Sequence, residues 1–288
     1  MPFTTLVDVA SLAAALDRQN WVLVDCRFAL DALHWGEREY ERAHIPGAVY
    51  AHLERDLSGE KTGQNGRHPL PDPIRLADTF GRFGIGPDTQ VVAYDQDTGA
   101  WASRCWWLLR WLGHEQVAVL DGGFAAWLAQ GHATRGGRET RPRRDFLPLV
   151  RADLVVDVQV VDRLRSRSDW RLIDARAPER FRGDAETIDR AAGHIPGALN
   201  RFFRLNLTEG GVFQAPSELK RTWDTLLDGT APERTVCYCG SGVTACHNLL
   251  ALEHAGLTGA KLYPGSWSEW SSTEERPVET GEGRQPGT

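Results

Sequence analysis

Within the 288-residue chain, the stretch that could do covalent chemistry is Tyr238-Cys239-Gly240-Ser241-Gly242-Val243-Thr244-Ala245. The strand-like run Thr235-Val-Cys-Tyr-Cys239 leads into it and a helix-like run leads out. A short loop between a strand and a helix aims several backbone N–H groups at one point, and the helix N-terminus adds positive potential. A cysteine at the start of such a loop is expected to present an accessible thiolate with a lowered pKa. Gly240 and Gly242 let the backbone curl around an anion without a Cβ in the way. The local pattern is a cradle for charged sulfur, thiolate or persulfide. Cys239 is the nucleophile, and Gly240, Gly242, Val243 and Thr244 help to form the binding loop.

Other chemistries fit these residues less well. Cys237, Cys239, Cys246 and His247 lie close in sequence. However, a C-x-C pair followed by an adjacent Cys-His pair suits a closed zinc site poorly, so no metal is assigned. Strand alternation points Cys237 and Cys239 to the same face. Cys237 is expected to be buried beneath the loop, and Cys246 to be a helix residue. A phosphate-binding loop of similar shape needs an arginine six residues after the cysteine, and that position is Ala245. Phosphate ester hydrolysis is therefore disfavoured.

The elements around this loop occur twice in the chain. Trp21-Val-Leu-Val-Asp25 is matched by Trp170-Arg-Leu-Ile-Asp174, and His44-Ile-Pro-Gly-Ala48 by His194-Ile-Pro-Gly-Ala198. Val91-Val-Ala-Tyr-Asp95 is matched by Thr235-Val-Cys-Tyr-Cys239, and Gly122-Gly-Phe-Ala-Ala-Trp127 by Gly265-Ser-Trp-Ser-Glu-Trp270. Landmarks in one order at nearly constant spacing imply duplication of a single domain. Within each copy, β-like runs alternate with helical patterns, which predicts an α/β fold with a mostly parallel sheet covered on both faces. Residues 101–113 and 244–256 read as equivalent helices ending at Gly113 and Gly256. The Gly-, Arg- and Pro-rich stretch around 136–150 reads as a linker between domains at 1–135 and 151–288. The polar tail, Glu274 to Thr288, is expected to fray or drape over the surface.

Composition agrees with a soluble globular protein of 41% hydrophobic and 25% charged residues. A formal charge of −6 argues against nucleic acid as the main partner. No apolar run approaches the roughly 18 residues that would span a membrane. The first twenty residues lack the pattern of a secretory leader, and Val9, Leu12, Ala13 and Leu16 suit a short amphipathic helix. These features place the protein in the cytoplasm. Five cysteines in a chain this long do not form a disulfide framework, and the eleven scattered tryptophans suit packing.

The segment Cys239-Gly-Ser-Gly-Val-Thr-Ala-Cys246 resembles the active-site loop of 3-mercaptopyruvate sulfurtransferases. The wider set of landmarks resembles the tandem-domain rhodanese family, which includes the thiosulfate sulfurtransferases. Both His-Ile-Pro-Gly-Ala motifs, Asp121-Gly-Gly-Phe, Arg180-Phe-Arg-Gly183 and Gly265–Trp270 carry that likeness. The resemblance implies two tandem rhodanese-like domains, each a mostly parallel sheet flanked by helices, with catalysis in the C-terminal one. Asp95 stands where Cys239 stands in the second copy. A carboxylate cannot accept sulfur to form a persulfide, so the first domain is expected to be inactive.

The resemblance further implies transfer of sulfur from 3-mercaptopyruvate to a thiol or cyanide acceptor through a Cys239 persulfide, with no cofactor. The acceptor could be a thioredoxin-like protein. Gly240 and Ser241 replace the loop Arg and Lys typical of thiosulfate-preferring members, which favours 3-mercaptopyruvate. Thiosulfate on the same cysteine is the nearest alternative, and a non-catalytic binding protein a more distant one. Arg180 fits the first of two donor-binding arginines, its fork being suited to a carboxylate. The second would fall at Thr187, and the nearest arginine is Arg190. Ser241 is the expected proton relay. In some family members this serine pairs with a histidine and an acid of the first domain, and His44 occupies the matching histidine position. Glu37 and Asp31 are the candidate acids. His44 and His194 could equally serve to fasten their Pro-Gly turns.

Overall fold

The apolar runs Trp21–Asp25, Gln90–Tyr94 and Val117–Leu120 are buried along their whole length. Strands of this kind sit inside parallel sheets with helices on both faces. A computed structural model of the chain, which describes residues 2–283, shows this arrangement twice.

Unit 1 comprises residues 1–59, 70–151 and 209–213. Its order is β1 (Leu6–Val7), α1 (Val9–Ala13), β2 (Trp21–Asp25), α2 (Trp35–Arg42), β3 (Val49–Tyr50), α3 (Pro73–Arg82), β4 (Gln90–Tyr94), α4 (Ala102–Trp111), β5 (Val117–Leu120) and α5 (Gly123–Ala129). All its strand pairs are parallel, in the order β1-β5-β4-β2-β3, with Val22 opposite Val91 in the centre. The expected amphipathic helix near the N-terminus is α1, capped by Asp8, whose carboxylate accepts the Ser11 N–H at 2.7 Å. It buries Val9 and Leu12 against Leu23, Val92 and Trp127.

Unit 2 comprises residues 60–69, 152–208 and 214–288. It contains α6 (Val158–Leu164), β6 (Arg171–Asp174), α7 (Pro178–Arg182), β7 (Leu199–Asn200), α8 (Pro216–Leu227), β8 (Thr235–Tyr238), α9 (Thr244–His254), β9 (Lys261–Leu262) and α10 (Ser266–Trp270). Its sheet is again all parallel, in the order β7-β6-β8-β9. Read from the other edge, this is the β5-β4-β2-β3 core of unit 1. Where unit 1 has β1, unit 2 has a single parallel bridge between Val155 and Leu262.

Matched residues in the two units do matching work. Arg27 is forked onto Asp25 and donates to the Ala43 carbonyl at 2.7 Å, while Arg176 is forked onto Asp174 and donates to the Gly193 carbonyl at 2.7 Å. The Tyr94 hydroxyl accepts the Ile45 N–H, and the Tyr238 hydroxyl accepts that of Ile195. Helices α4 and α9 each run into a left-handed glycine, Gly113 and Gly256, where an L-residue would be strained. Five tryptophans (106, 127, 223, 267 and 270) are fully buried, so these serve packing. Truncating such a ring costs on the order of 3–5 kcal/mol.

Residues 136–150 form neither helix nor strand. They lie along unit 1, where Arg144 N–H meets the Gly81 carbonyl and Leu149 N–H the Leu112 carbonyl. In the tail, Glu279 bridges His194 through the backbone, and the Trp270 indole N–H donates to the Pro277 carbonyl. Residues 284–288 of the tail lie outside the described residues.

Candidate active site

β8 delivers Cys239 to the carboxyl end of its sheet, where ligands of open α/β folds bind. The Gly242 N–H points back at Cys239 Sγ, 3.2 Å away. Gly242 can do this because it is left-handed, at φ +75°, and because it presses against Pro264, whose carbonyl would lie 2.3 Å from an added Cβ. α9 begins two residues later and adds the potential of its N-terminus.

The Gly265-Ser-Trp-Ser segment locks the loop from outside. Trp267 and Ser268 donate their N–H groups to the carbonyls of Cys239 and Gly240, each at 2.9 Å. Ser266 Oγ accepts the Cys239 N–H at 3.1 Å. In unit 1, Phe124 and Ala125 bond the carbonyls of Asp95 and Gln96 in the same way. The repeated motif at 122–127 and 265–270 is therefore the clamp on each loop. It requires a left-handed residue at its second position, Gly123 at φ +58° and Ser266 at φ +55°.

Asp95 shows what the loop holds when cysteine is absent. Its fully buried carboxylate accepts N–H bonds from Asp97, Gly99, Trp101 and Ala102 at 2.7–3.2 Å. Burial pushes this carboxyl above its ordinary pKa, and the four donors oppose that shift. Unit 1 has the anion cradle but fills it with its own side chain.

The residues expected around Cys239 are only partly gathered there. Ser241 lies in the loop, but its hydroxyl is 2.7 Å from Nδ1 of His68. His44 lies in the interior of unit 1, with Nδ1 2.7 Å from the Tyr40 carbonyl and its ring stacked on Tyr40. His194 does the same with Phe181. Both histidines brace their Pro-Gly turns, and the histidine bonded to Ser241 is His68. Glu37 pairs with arginines of unit 1, Arg55 and Arg138.

Arg180 does reach the loop. Its Nη2 pairs with Glu186 at 2.8 Å and Asp189 at 3.0 Å, and its Nη1 would lie 3.5 Å from a Cβ at position 240. Arg190 does not. It is 48% exposed and pairs with Glu274 of the tail. The guanidinium found beside Arg180 is that of Arg67, whose Nη2 would lie 2.8 Å from the same Cβ. Arg67 and His68 belong to the 60–69 segment, which is pinned to unit 2 by the Arg67 N–H on Ser268 Oγ and by Gly66 packed on Gly265. Cys239 itself is 2% exposed, so the expectation of an open thiol is corrected. Arg67 covers the neighbouring Gly240.

Cys237 is buried and Cys246 lies in α9, as expected, and burial pushes the Cys237 thiol up. Among the described residues, no three or more His, Cys, Asp or Glu side chains are grouped to hold a metal ion. No helix among them is long and apolar enough to cross a membrane.

Two parallel sheets, each carrying a clamped strand-loop-helix, define a duplicated rhodanese fold with one cysteine-bearing loop. The chain belongs to the Rhodanese-like domain family, which it matches over residues 8–130 and again over 157–273, and it is a sulfurtransferase. It is 46% identical to the "Probable 3-mercaptopyruvate sulfurtransferase" of Pseudomonas aeruginosa, over 98% of this chain and 100% of that one. It is 36% identical to the thiosulfate sulfurtransferase of Cricetulus griseus, over 84% and 82% of the two chains. Among solved structures, the 3-mercaptopyruvate sulfurtransferase from Leishmania major superposes with a TM-score of 0.84 at 29% identity, covering 96% of this chain and 76% of that one.

Proposed function

We propose that the protein moves sulfane sulfur from 3-mercaptopyruvate to a thiol or cyanide acceptor through a persulfide on Cys239. The observation that carries this reading is the Gly242 N–H aimed at Cys239 Sγ from a loop built to hold an anion. The Cys239 thiolate attacks the donor sulfur, and the carbon–sulfur bond breaks with its electron pair passing to the enolate of pyruvate. The enolate takes a proton and leaves as pyruvate. Ser241 supplies that proton, and His68, hydrogen-bonded to it, restores it. The acceptor then takes the outer sulfur and regenerates the thiolate, completing a two-step exchange. A thioredoxin-like dithiol is a fitting acceptor. All five cysteines are free thiols, which suits the reducing cytoplasm.

Thiosulfate is the second reading, favoured by the likeness to a thiosulfate sulfurtransferase and by two guanidiniums beside Gly240. Steady-state turnover of the two donors at matched concentration decides between them. Preference for 3-mercaptopyruvate is expected, and equal or faster turnover of thiosulfate would reverse the assignment. In the same assay His68→Ala is expected to slow sulfur loading by about a hundredfold. His44→Ala should leave the rate per folded molecule unchanged while lowering the stability of unit 1, as judged by thermal unfolding.

A further inference from the structure

Two guanidiniums converge on the place where a side chain at position 240 would stand. Arg67 and Arg180 share one carboxylate, Asp189, with Arg67 Nη1 on Oδ1 and Arg180 Nη2 on Oδ2. Glu186 holds Arg180 from the other side through Nε and Nη2. These contacts leave Arg67 Nη2 and Arg180 Nη1, the two atoms nearest Gly240, without a protein partner among the described residues. Arg67 Nε is also buried without a hydrogen bond. Asp189 and Glu186 are themselves buried, so the pair is held at fixed spacing and not spread over solvent.

We propose that Arg67 is the second guanidinium that holds the donor's anionic head, and that Asp189 sets its distance from Arg180. The loop has no cation of its own, and Arg67 brings one from the 60–69 segment into the room that Gly240 leaves empty. The two free N–H edges form a fork for one carboxylate beside Cys239. Arg190 is not needed for this and is engaged elsewhere. The assignment rests on the sulfur-transfer reading given above and names the group that recognises the donor.

The test pairs donor kinetics with a probe that needs no sulfur transfer. For 3-mercaptopyruvate, Arg67→Gln is expected to raise KM by about ten- to a hundredfold. Discharge of an already formed persulfide to a neutral thiol should slow far less than its formation. Arg67→Lys, which keeps the charge and a partner for Asp189, should recover part of the KM. Alkylation of Cys239 supplies the independent arm, because iodoacetate carries a carboxylate and iodoacetamide does not. The rate ratio of iodoacetate to iodoacetamide should fall in Arg67→Gln. It should also fall in Gly240→Ala, whose Cβ displaces the Arg67 guanidinium without removing either partner. An unchanged KM with an unchanged alkylation ratio would reduce Arg67 to a structural partner of Asp189 and overturn the proposal. A wild-type protein that takes no sulfur from 3-mercaptopyruvate would sink the donor reading, and the ratio would still decide the role of Arg67.

Discussion

Cys239→Ser is expected to take up no sulfur from 3-mercaptopyruvate, whereas the wild-type protein should gain the mass of one sulfur atom. A serine hydroxyl is far too weak an acid to ionise at neutral pH, and turnover should fall by at least roughly a thousandfold. The change is nearly isosteric, and the hydroxyl can still accept the Gly242 N–H that Sγ accepts now. Thermal stability should therefore change little, so lost activity is not lost fold. No other cysteine is placed to take over. Of the five buried cysteines only Cys239 receives the Gly242 N–H, and burial drives the thiols of Cys26 and Cys237 upward, away from ionisation. Intact-mass measurement after donor treatment is the check. A sulfur adduct surviving in the serine variant would remove Cys239 from the mechanism.

Gly242→Ala should be nearly as damaging, and by a different route. The residue is left-handed, and a Cβ there would approach the Pro264 carbonyl oxygen to 2.3 Å. Relief requires the loop to shift away from β9 and α10, which turns the 242 N–H off Sγ. Losing one donor from a preorganised anion site typically costs about a hundredfold in rate or more. The strain adds about 1–3 kcal/mol, lowering Tm by roughly 2–12 °C in a unit of this size. Rapid-quench measurement of persulfide formation, with thermal unfolding beside it, separates the two effects. A variant that loads at the normal rate would mean that the backbone cradle contributes nothing to the chemistry.

The sequence announced what repeats. Four paired landmarks predicted two α/β units, and each landmark has a physical task in both: the Asp-Arg fork, the braced Pro-Gly turn, the cradle loop and its clamp. Short runs rich in β-branched residues, such as Gln90–Tyr94, read as buried strands and are strands, and the helices end at the predicted glycines. The loop cysteine was equally legible, because its neighbours are glycines and a helix start. Arg67 and His68 were not. They lie in Asn65-Gly-Arg-His-Pro69, an irregular stretch whose residues are not repeated in the second copy, so neither periodicity nor comparison of the halves marks them. A hint was present, since irregular segments laid over a rigid sheet edge often carry binding groups. Arg190 failed for a related reason. Counting along a loop gives distance in sequence but not direction, and this arginine turns outward to Glu274. His44 shares its motif with His194, and the shared role is the one in the turn, which a match to one domain alone does not reveal.

The first unit carries ballast in its loop, for the Asp95 carboxylate is covalently part of the chain and bonded to the four amides that surround it. In its sister loop the corresponding weight is in transit. A sulfur atom parked on Cys239 is thus both freight and keystone, and the sulfur-loaded form should be the sturdier of the two that the catalytic cycle visits.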